Sequence, residues 1–148
     1  DLHRLLVECH CVEKLITLLT SKMSVGDASL SGQQAEDRCD EETQCHQNAL
    51  YAIANMSTFR PCQNILVSSD QFLAYLMSHI TNGTHITAEM RRECARTLAN
   101  LCVGLAPKIV RNLGLPVTMK WVATVDSLSD ERLKIHATRA KMYIQNCF

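Results

Sequence analysis

A pattern that recurs every 45 or 46 residues constrains this chain more than any other feature. Three segments, 47–57, 92–102 and 138–148, align with one another and share an asparagine, which is Asn55, Asn100 or Asn146. Each is preceded by a second apolar segment, at 12–19, 70–77 and 116–123 respectively. A short apolar pair comes before each of these segments, at 5–6, 65–66 and 109–110. A period of this length is typical of helical units that stack into an array.

The spacing of apolar residues within each copy predicts helices and not strands. Counted from the shared asparagine, small or apolar residues fall six before, two before and one after it, and steps of four and three belong to one helical face. The predicted core positions are Ala49, Ile53, Met56, Cys94, Leu98, Leu101, Ala140, Ile144 and Cys147. Pro61 and Pro107 suit the first turn of a short helix, and Thr87 and Ser129 suit N-caps. The chain therefore predicts nine helices in three groups of three.

The long helix of each group closes on a motif that resembles the armadillo repeat family. A small and an apolar residue flank the asparagine in Ala54-Asn55-Met56 and Ala99-Asn100-Leu101, and the third copy reads Gln145-Asn146-Cys147. The resemblance implies an all-α fold, a right-handed α-solenoid (superhelix) of three armadillo-type three-helix repeats. We place these at 1–58, 59–104 and 105–148 of a single domain, 1–148, which we expect to belong to a larger array or chain.

One face of the long helices is predicted to line a groove. With about 100° of rotation per residue, positions four and seven before each asparagine share its face. The predicted groove residues are Asn48, Tyr51, Asn55, Glu93, Arg96, Asn100, Arg139, Met142 and Asn146, with Arg92 at the rim. In armadillo proteins the corresponding asparagine binds the backbone of an extended peptide, and the resemblance implies this for Asn55, Asn100 and Asn146. The alternative is that each amide only caps a helix end.

The side chains beside the asparagines indicate which peptides such a groove would bind. Importin-like armadillo proteins carry tryptophan four residues before the asparagine, whereas this chain has Tyr51, Arg96 and Met142 there. A receptor for nuclear-localisation signals is therefore not expected. Because guanidinium groups bind carboxylate and phosphate bidentately, Arg92, Arg96 and Arg139 favour an acidic or phosphorylated peptide. A solvated helix face is the alternative for each arginine.

These features predict a non-enzymatic scaffold for protein–protein interaction. One alternative is self-assembly into a homo-oligomer through the uncapped ends of the solenoid, where Leu5, Leu6, Val7, Cys147 and Phe148 would be exposed. A zinc-binding or thiol-dependent enzyme is less favoured, because Cys9, His10, Cys11, Cys39, Cys45, His46 and Cys62 lack the short paired spacing of a zinc site. We expect no catalytic residue, no metal and no cofactor.

Charge is unevenly distributed along a chain whose 15 basic and 15 acidic residues cancel. Residues 23–45 carry six acids and one base, whereas residues 89–148 carry ten bases and five acids. Residues 24–43, rich in Ser, Gly and acids, predict a loop insertion that either competes for the basic groove or is passive. Nucleic acid is not an expected partner, and no apolar run is long enough for a membrane span. Free thiols on helical faces favour a cytoplasmic or nuclear location.

Overall fold

The computed structural model describes residues 2–21, 32–83 and 86–148, and side chains from residue 4 and from residue 40 in the first two ranges. These residues form helices and no strand. The helices are α1 (Leu2–Glu8), α2 (Cys11–Thr20), α3 (Gly32–Met56), α4 (Arg60–Leu66), α5 (Asp70–Thr81), α6 (Ala88–Leu113), α7 (Leu115–Val125) and α8 (Glu131–Gln145). The prediction of an all-α fold is confirmed for this part of the chain.

Helix α6 is kinked where the repeat pattern predicts a boundary between two helices. Val103 has a ψ of 100°, and Gly104 has a φ of 75°, a left-handed conformation that glycine adopts without steric cost. The kink separates segment 88–102 from segment 105–113, and Pro107 lies in the first turn of the second segment. Pro61 lies in the first turn of α4. The described residues therefore contain nine helical segments, which is the predicted number.

One predicted N-cap is confirmed and the other is wrong by one residue. The Thr87 side chain accepts a hydrogen bond from the backbone N–H of Met90 at 3.2 Å and caps α6. At α8 the N-cap is Asp130 and not Ser129, because helical geometry begins only at Glu131. The Asp130 carboxylate accepts from the N–H of Leu133 at 3.1 Å. A carboxylate at this position also interacts favourably with the positive end of the helix dipole.

The loop predicted at 24–43 is too long at its C-terminal side. Helix α3 already begins at Gly32, so residues 32–43 are helical, and residues 24–31 lie outside the described residues. The segment 33–36 reads Gln-Gln-Ala-Glu, and these residues have high helix propensity. The polarity of the segment predicted a loop, whereas its helix propensity agrees with the structure.

The long helices α3, α6 and α8 form one row. The helices that precede them in each group, α2, α5 and α7, form another, and we call these the second helices. In the first row α6 contacts α3 on one side and α8 on the other. In the second row α5 contacts α2 and α7, and each second helix also contacts the long helix of its own group. Of the nine predicted core positions, eight are buried, and Cys147 is half-buried. The core therefore lies between the rows, which leaves one face of the long helices accessible to solvent.

Candidate functional site

The predicted groove residues lie on the accessible face of α3, α6 and α8. Five of the nine side chains are exposed and the other four are half-buried, so none belongs to the core. We call this surface the polar face, and it is formed by Asn48, Tyr51, Asn55, Glu93, Arg96, Asn100, Arg139, Met142 and Asn146. Because α6 contacts both other long helices, side chains from all three helices can interact across it.

Arg96 connects the polar face of α6 with that of α3. Its Nη1 and Nη2 atoms donate to Oδ1 of Asn55 at 3.3 and 3.2 Å. Its Nε atom donates to Oε2 of Glu93, one turn earlier on α6, at 2.8 Å. The guanidinium is thus held by an amide and a carboxylate of the protein itself. An acidic ligand has to compete with Glu93 for this arginine.

Asn100 uses both ends of its amide within the protein. Its Oδ1 atom accepts from Nη2 of Arg139 on α8 at 2.7 Å. Its Nδ2 atom donates at 3.0 Å to Oγ of Ser57, a fully buried residue just after α3. Asn100 therefore links all three long helices. Each end of the amide retains one lone pair or one N–H, so pairing with a peptide backbone, which the family resemblance implies for this residue, has to use these or displace a protein partner.

The outer members of the polar face have different surroundings. Tyr51 Oη donates to Oε2 of Glu89 at 3.4 Å, and Asn48 Oδ1 accepts from Gln44 at 3.0 Å. Asn146 is the C-cap residue of α8, and its side chain makes no hydrogen bond to the part of the chain that is described. Asn146 is therefore a C-cap by position without an amide hydrogen bond, whereas Asn55 and Asn100 lie within α3 and α6.

Arg92, which the sequence places at the rim of the groove, is held by the N-cap of α8. Its Nε and Nη2 atoms donate to Oδ2 of Asp130 at 3.0 and 2.9 Å. Both side chains are less than one-third exposed, so this ion pair is partly shielded from solvent. Arg92 thus connects α6 to the start of α8, and its guanidinium is occupied by a carboxylate of the protein.

We expect Asp130→Asn to reduce the loss of stability in acid. The hydrogen bond from Leu133 N–H, and then that from Arg92, lower the pKa of the Asp130 carboxyl below its usual 3.8. A lowered folded-state pKa stabilises the fold above the unfolded-state pKa, and this contribution disappears as pH falls through the folded-state value. Urea unfolding at pH 7 and at steps below pH 4 measures the effect, with the exposed Asp40→Asn as control. Identical pH dependence of Asp130→Asn and the native chain would contradict the assignment.

His136 is a member of the site that the sequence analysis missed. It lies three residues before Arg139 on α8, and side chains at this spacing are neighbours on a helix surface. Burial, followed by the positive charges of Arg139 and Arg96, lowers the pKa of His136, and Glu93 opposes the shift. Its Nδ1 atom is buried without a hydrogen-bond partner among the described residues. The i, i+3 spacing to Arg139 was the signal that could have identified it.

Other concave surfaces of the described chain lie among the second helices. A groove of about 640 Å³ lies between α2 and the α4–α5 pair, and one of about 570 Å³ separates α5 from α7. The second groove is lined by Lys120 and by Trp121, whose Nε1 atom is buried without a partner among the described residues. Neither groove includes a residue of the polar face, where charged groups from several helices are joined by hydrogen bonds.

The cysteine and histidine residues considered for zinc are dispersed where their side chains are described. His46 has both ring nitrogens beside backbone carbonyl oxygens, that of Glu42 at 2.7 Å and that of Leu18 at 3.0 Å. Cys45 is exposed and Cys62 is buried, and the Cys39 side chain lies outside the described part. Within that part, no group of three His, Cys, Asp or Glu side chains is placed to hold a metal ion.

Comparisons with known proteins add no assignment to these observations. No model of a protein family matches the chain, and no curated protein or solved structure shows significant similarity to it. The resemblance to armadillo repeats therefore depends on the motifs of the sequence. Among the helices of the described residues, none combines the length and the apolar character needed to span a bilayer.

Proposed function

We propose that this protein is a non-enzymatic scaffold that binds an extended, acidic or phosphorylated peptide along the polar face. In this proposal the chain is a right-handed armadillo-type solenoid of three repeats, and the polar face lines its concave side. The arrangement of the helices in two rows is compatible with such a solenoid. Packed helices lie about 8–10 Å apart, so neighbouring long helices would contact residues a few positions apart in an extended peptide.

The observation that carries the proposal is the pair of arginine–asparagine hydrogen bonds between successive long helices. Arg96 of α6 binds Asn55 of α3, and Arg139 of α8 binds Asn100 of α6. These bonds place two guanidinium groups along one surface in consecutive order. A row of preorganised cations is suited to an extended anionic ligand, because little side-chain freedom remains to be lost on binding.

The ligand contacts divide between the arginines and the amides that remain available. Arg139 is exposed and accounts for one hydrogen bond, to Asn100, so most of its donors can bind carboxylate or phosphate oxygens. Asn55 accepts through Oδ1 and retains its NH₂ group, and the side chain of Asn146 is exposed. Asn100 positions Arg139. In this proposal Asn55 and Asn146 bind the peptide backbone, and Asn100 acts through its neighbour.

We expect the double variant Arg96→Gln, Arg139→Gln to lose acidic-peptide binding. Selection from a displayed library of random 12-residue peptides should enrich sequences rich in Asp and Glu. Each charged hydrogen bond contributes about 1.5–3 kcal/mol, so titration of a selected peptide should show at least about a hundredfold weaker binding to the variant. Arg111→Gln, an exposed arginine of the short segment 105–113, is the matched control. Equal affinity of the native chain and the double variant would refute the proposal.

Self-assembly through the ends of the solenoid remains a second candidate because a large apolar side chain is exposed near each end of the described chain. Leu5 and Phe148 are each 55% exposed, whereas Leu6, Val7 and Cys147, which were also predicted to be exposed, are half-buried. Exposed apolar residues of this size are common at interfaces between subunits. Light scattering measures the molar mass and separates the candidates. A concentration range of about a hundredfold is sufficient to move a monomer–oligomer equilibrium across its midpoint. A mass that stays that of the monomer at every concentration eliminates self-assembly.

A further inference from the structure

Four ionisable side chains converge where α6 and α8 meet. Arg139 and His136 are neighbours on α8, and Arg139 reaches Asn100 of α6. Arg96 lies one turn before Asn100 on the same helix and donates a hydrogen bond to Glu93. The charges of Arg139, Arg96 and Glu93 all act on the His136 ring, so the four side chains form one electrostatic cluster.

The cluster has more positive than negative charge. Glu93 is bound to Arg96, and Arg139 makes no ion pair with any described residue. With His136 neutral, the two guanidinium groups and one carboxylate leave a charge of about +1, which increases if the ring gains a proton. His136 Nδ1 is buried and has no hydrogen-bond partner in the described part of the chain. The surplus charge would be satisfied by an anion with several oxygens.

We propose that Arg96, His136 and Arg139 bind a phosphoryl group. This inference rests on the proposed function, because the phosphoryl group belongs to the peptide that the polar face binds. Glu93 occupies Arg96 in the absence of ligand and is displaced when the phosphoryl group arrives. The site thereby becomes selective for a phosphorylated residue at one position of the peptide.

The chemistry of the cluster favours a phosphoryl group over a second carboxylate. Arg96 already has a carboxylate partner, so a ligand carboxylate would exchange one such partner for another. A phosphoryl group carries a charge of about −1.5 to −2 and three acceptor oxygens. It can accept from both guanidinium groups and from the imidazole at once, and hydrogen bonds between charged groups are the stronger ones. The phosphoryl group therefore displaces Glu93 because its negative charge is larger than that of a carboxylate.

Binding should be coupled to proton uptake by His136. The groups that face the ring are Arg139 on its own helix and Arg96 and Glu93 on α6, and the arginines together with burial keep its pKa low. A bound dianion has the opposite effect and favours the charged ring. Affinity should therefore rise as pH falls through the range where His136 titrates in the complex. Phosphate itself takes up a proton near pH 6, about where histidine titrates, so a phosphate ligand would mix the two effects. The measurement of pH dependence therefore needs an anion whose charge stays constant over this range.

The experiment uses three probes: inorganic sulfate, which stays a dianion across this range, a short peptide with a central phosphoserine, and the same peptide with glutamate. Histidine ring resonances are followed by NMR at pH 5–8, with the exposed His10 as internal reference. We expect sulfate to raise the titration midpoint of His136 in a saturable manner and to leave His10 unchanged. The phosphoserine peptide should bind about tenfold more tightly than the glutamate peptide, as one additional charged hydrogen bond implies.

Variants make the assignment specific. Arg139→Gln should abolish the sulfate-induced shift of His136, Arg111→Gln should retain it, and His136→Gln should remove the pH dependence of phosphoserine-peptide binding. Glu93→Gln should tighten binding of both sulfate and the phosphopeptide, because it removes the competing carboxylate. Equal shifts of His136 and His10, or no preference for phosphoserine, would overturn the phosphoryl site. If acidic peptides still bind through Arg96 and Arg139 in that case, the proposed function survives and only this inference fails.

Discussion

Leu98→Ala is expected to lower the free energy of unfolding by about 2–5 kcal/mol, the range measured for deleting a leucine side chain in a packed core. Leu98 is completely buried near the middle of α6, the helix that contacts α3, α5, α7 and α8. A cavity at this position removes contacts in the centre of the molecule, where surrounding helices cannot all relax into it. Urea denaturation followed by circular dichroism measures the change.

Leu115→Ala is the matched control for Leu98→Ala. Leu115 is 51% exposed at the start of α7, so its truncation should change stability by less than about 1 kcal/mol. The two variants remove the same atoms, and the difference between them isolates the effect of burial. If both variants lost the same stability, the position of Leu98 in the core would be wrong.

Asn100→Ala is expected to destabilise the protein by about 1–3 kcal/mol, because it removes two hydrogen bonds, one of them to a charged group. The lost bonds are those that join Asn100 to Arg139 and to the buried Ser57. Ser57 Oγ still donates to the carbonyl of Ala54, and Arg139 is exposed, so no buried charge is left unpaired. The effect should therefore stay within this range.

Asn146→Ala is the control that separates the two asparagines. Its side chain is exposed, so we expect a change within about 0.5 kcal/mol. A double-mutant cycle of Asn100→Ala with Arg139→Gln should give a coupling of at least about 0.5 kcal/mol, as for other contacting residues. Zero coupling, or equal losses for Asn100→Ala and Asn146→Ala, would show that Asn100 does not hold Arg139 in solution.

This contrast bears on how the polar face works. The family resemblance implies the same peptide-binding role for all three asparagines, whereas the hydrogen bonds divide them. Asn100 uses both its carbonyl oxygen and its NH₂ group within the protein, Asn55 retains its NH₂ group, and the exposed side chain of Asn146 has no hydrogen-bond partner among the described residues. The stability of Asn100→Ala and the affinities of the arginine variants therefore test separate properties of one surface. Their combination shows which asparagine supports the fold and which is available to a ligand.

The helical period of the sequence determined the core and the accessible face. Ile53, Leu98 and Ile144 were predicted to be buried and are completely buried. Asn55, Arg139 and Asn146 were predicted to lie on the opposite face and are exposed. These outcomes depend only on the rotation per residue within a single helix, which is the same wherever the helix lies. The boundary between two helical segments before Pro107 was likewise predicted by the repeat pattern, and the structure places it at Val103 and Gly104.

Only the tertiary structure decided which side chains of the polar face meet. Arg96 binds Asn55 and Arg139 binds Asn100, across separations of 41 and 39 residues. Arg92 binds Asp130, and the charge of Arg96 lowers the pKa of His136, although their sequence positions suggest neither interaction. Such pairs depend on how far each helix is shifted and rotated against the next one. A shift of one residue corresponds to about 1.5 Å along the helix axis and about 100° around it, and it exchanges every partner. Helix periodicity contains no information on that register, since it is decided by the packing of the core between the rows.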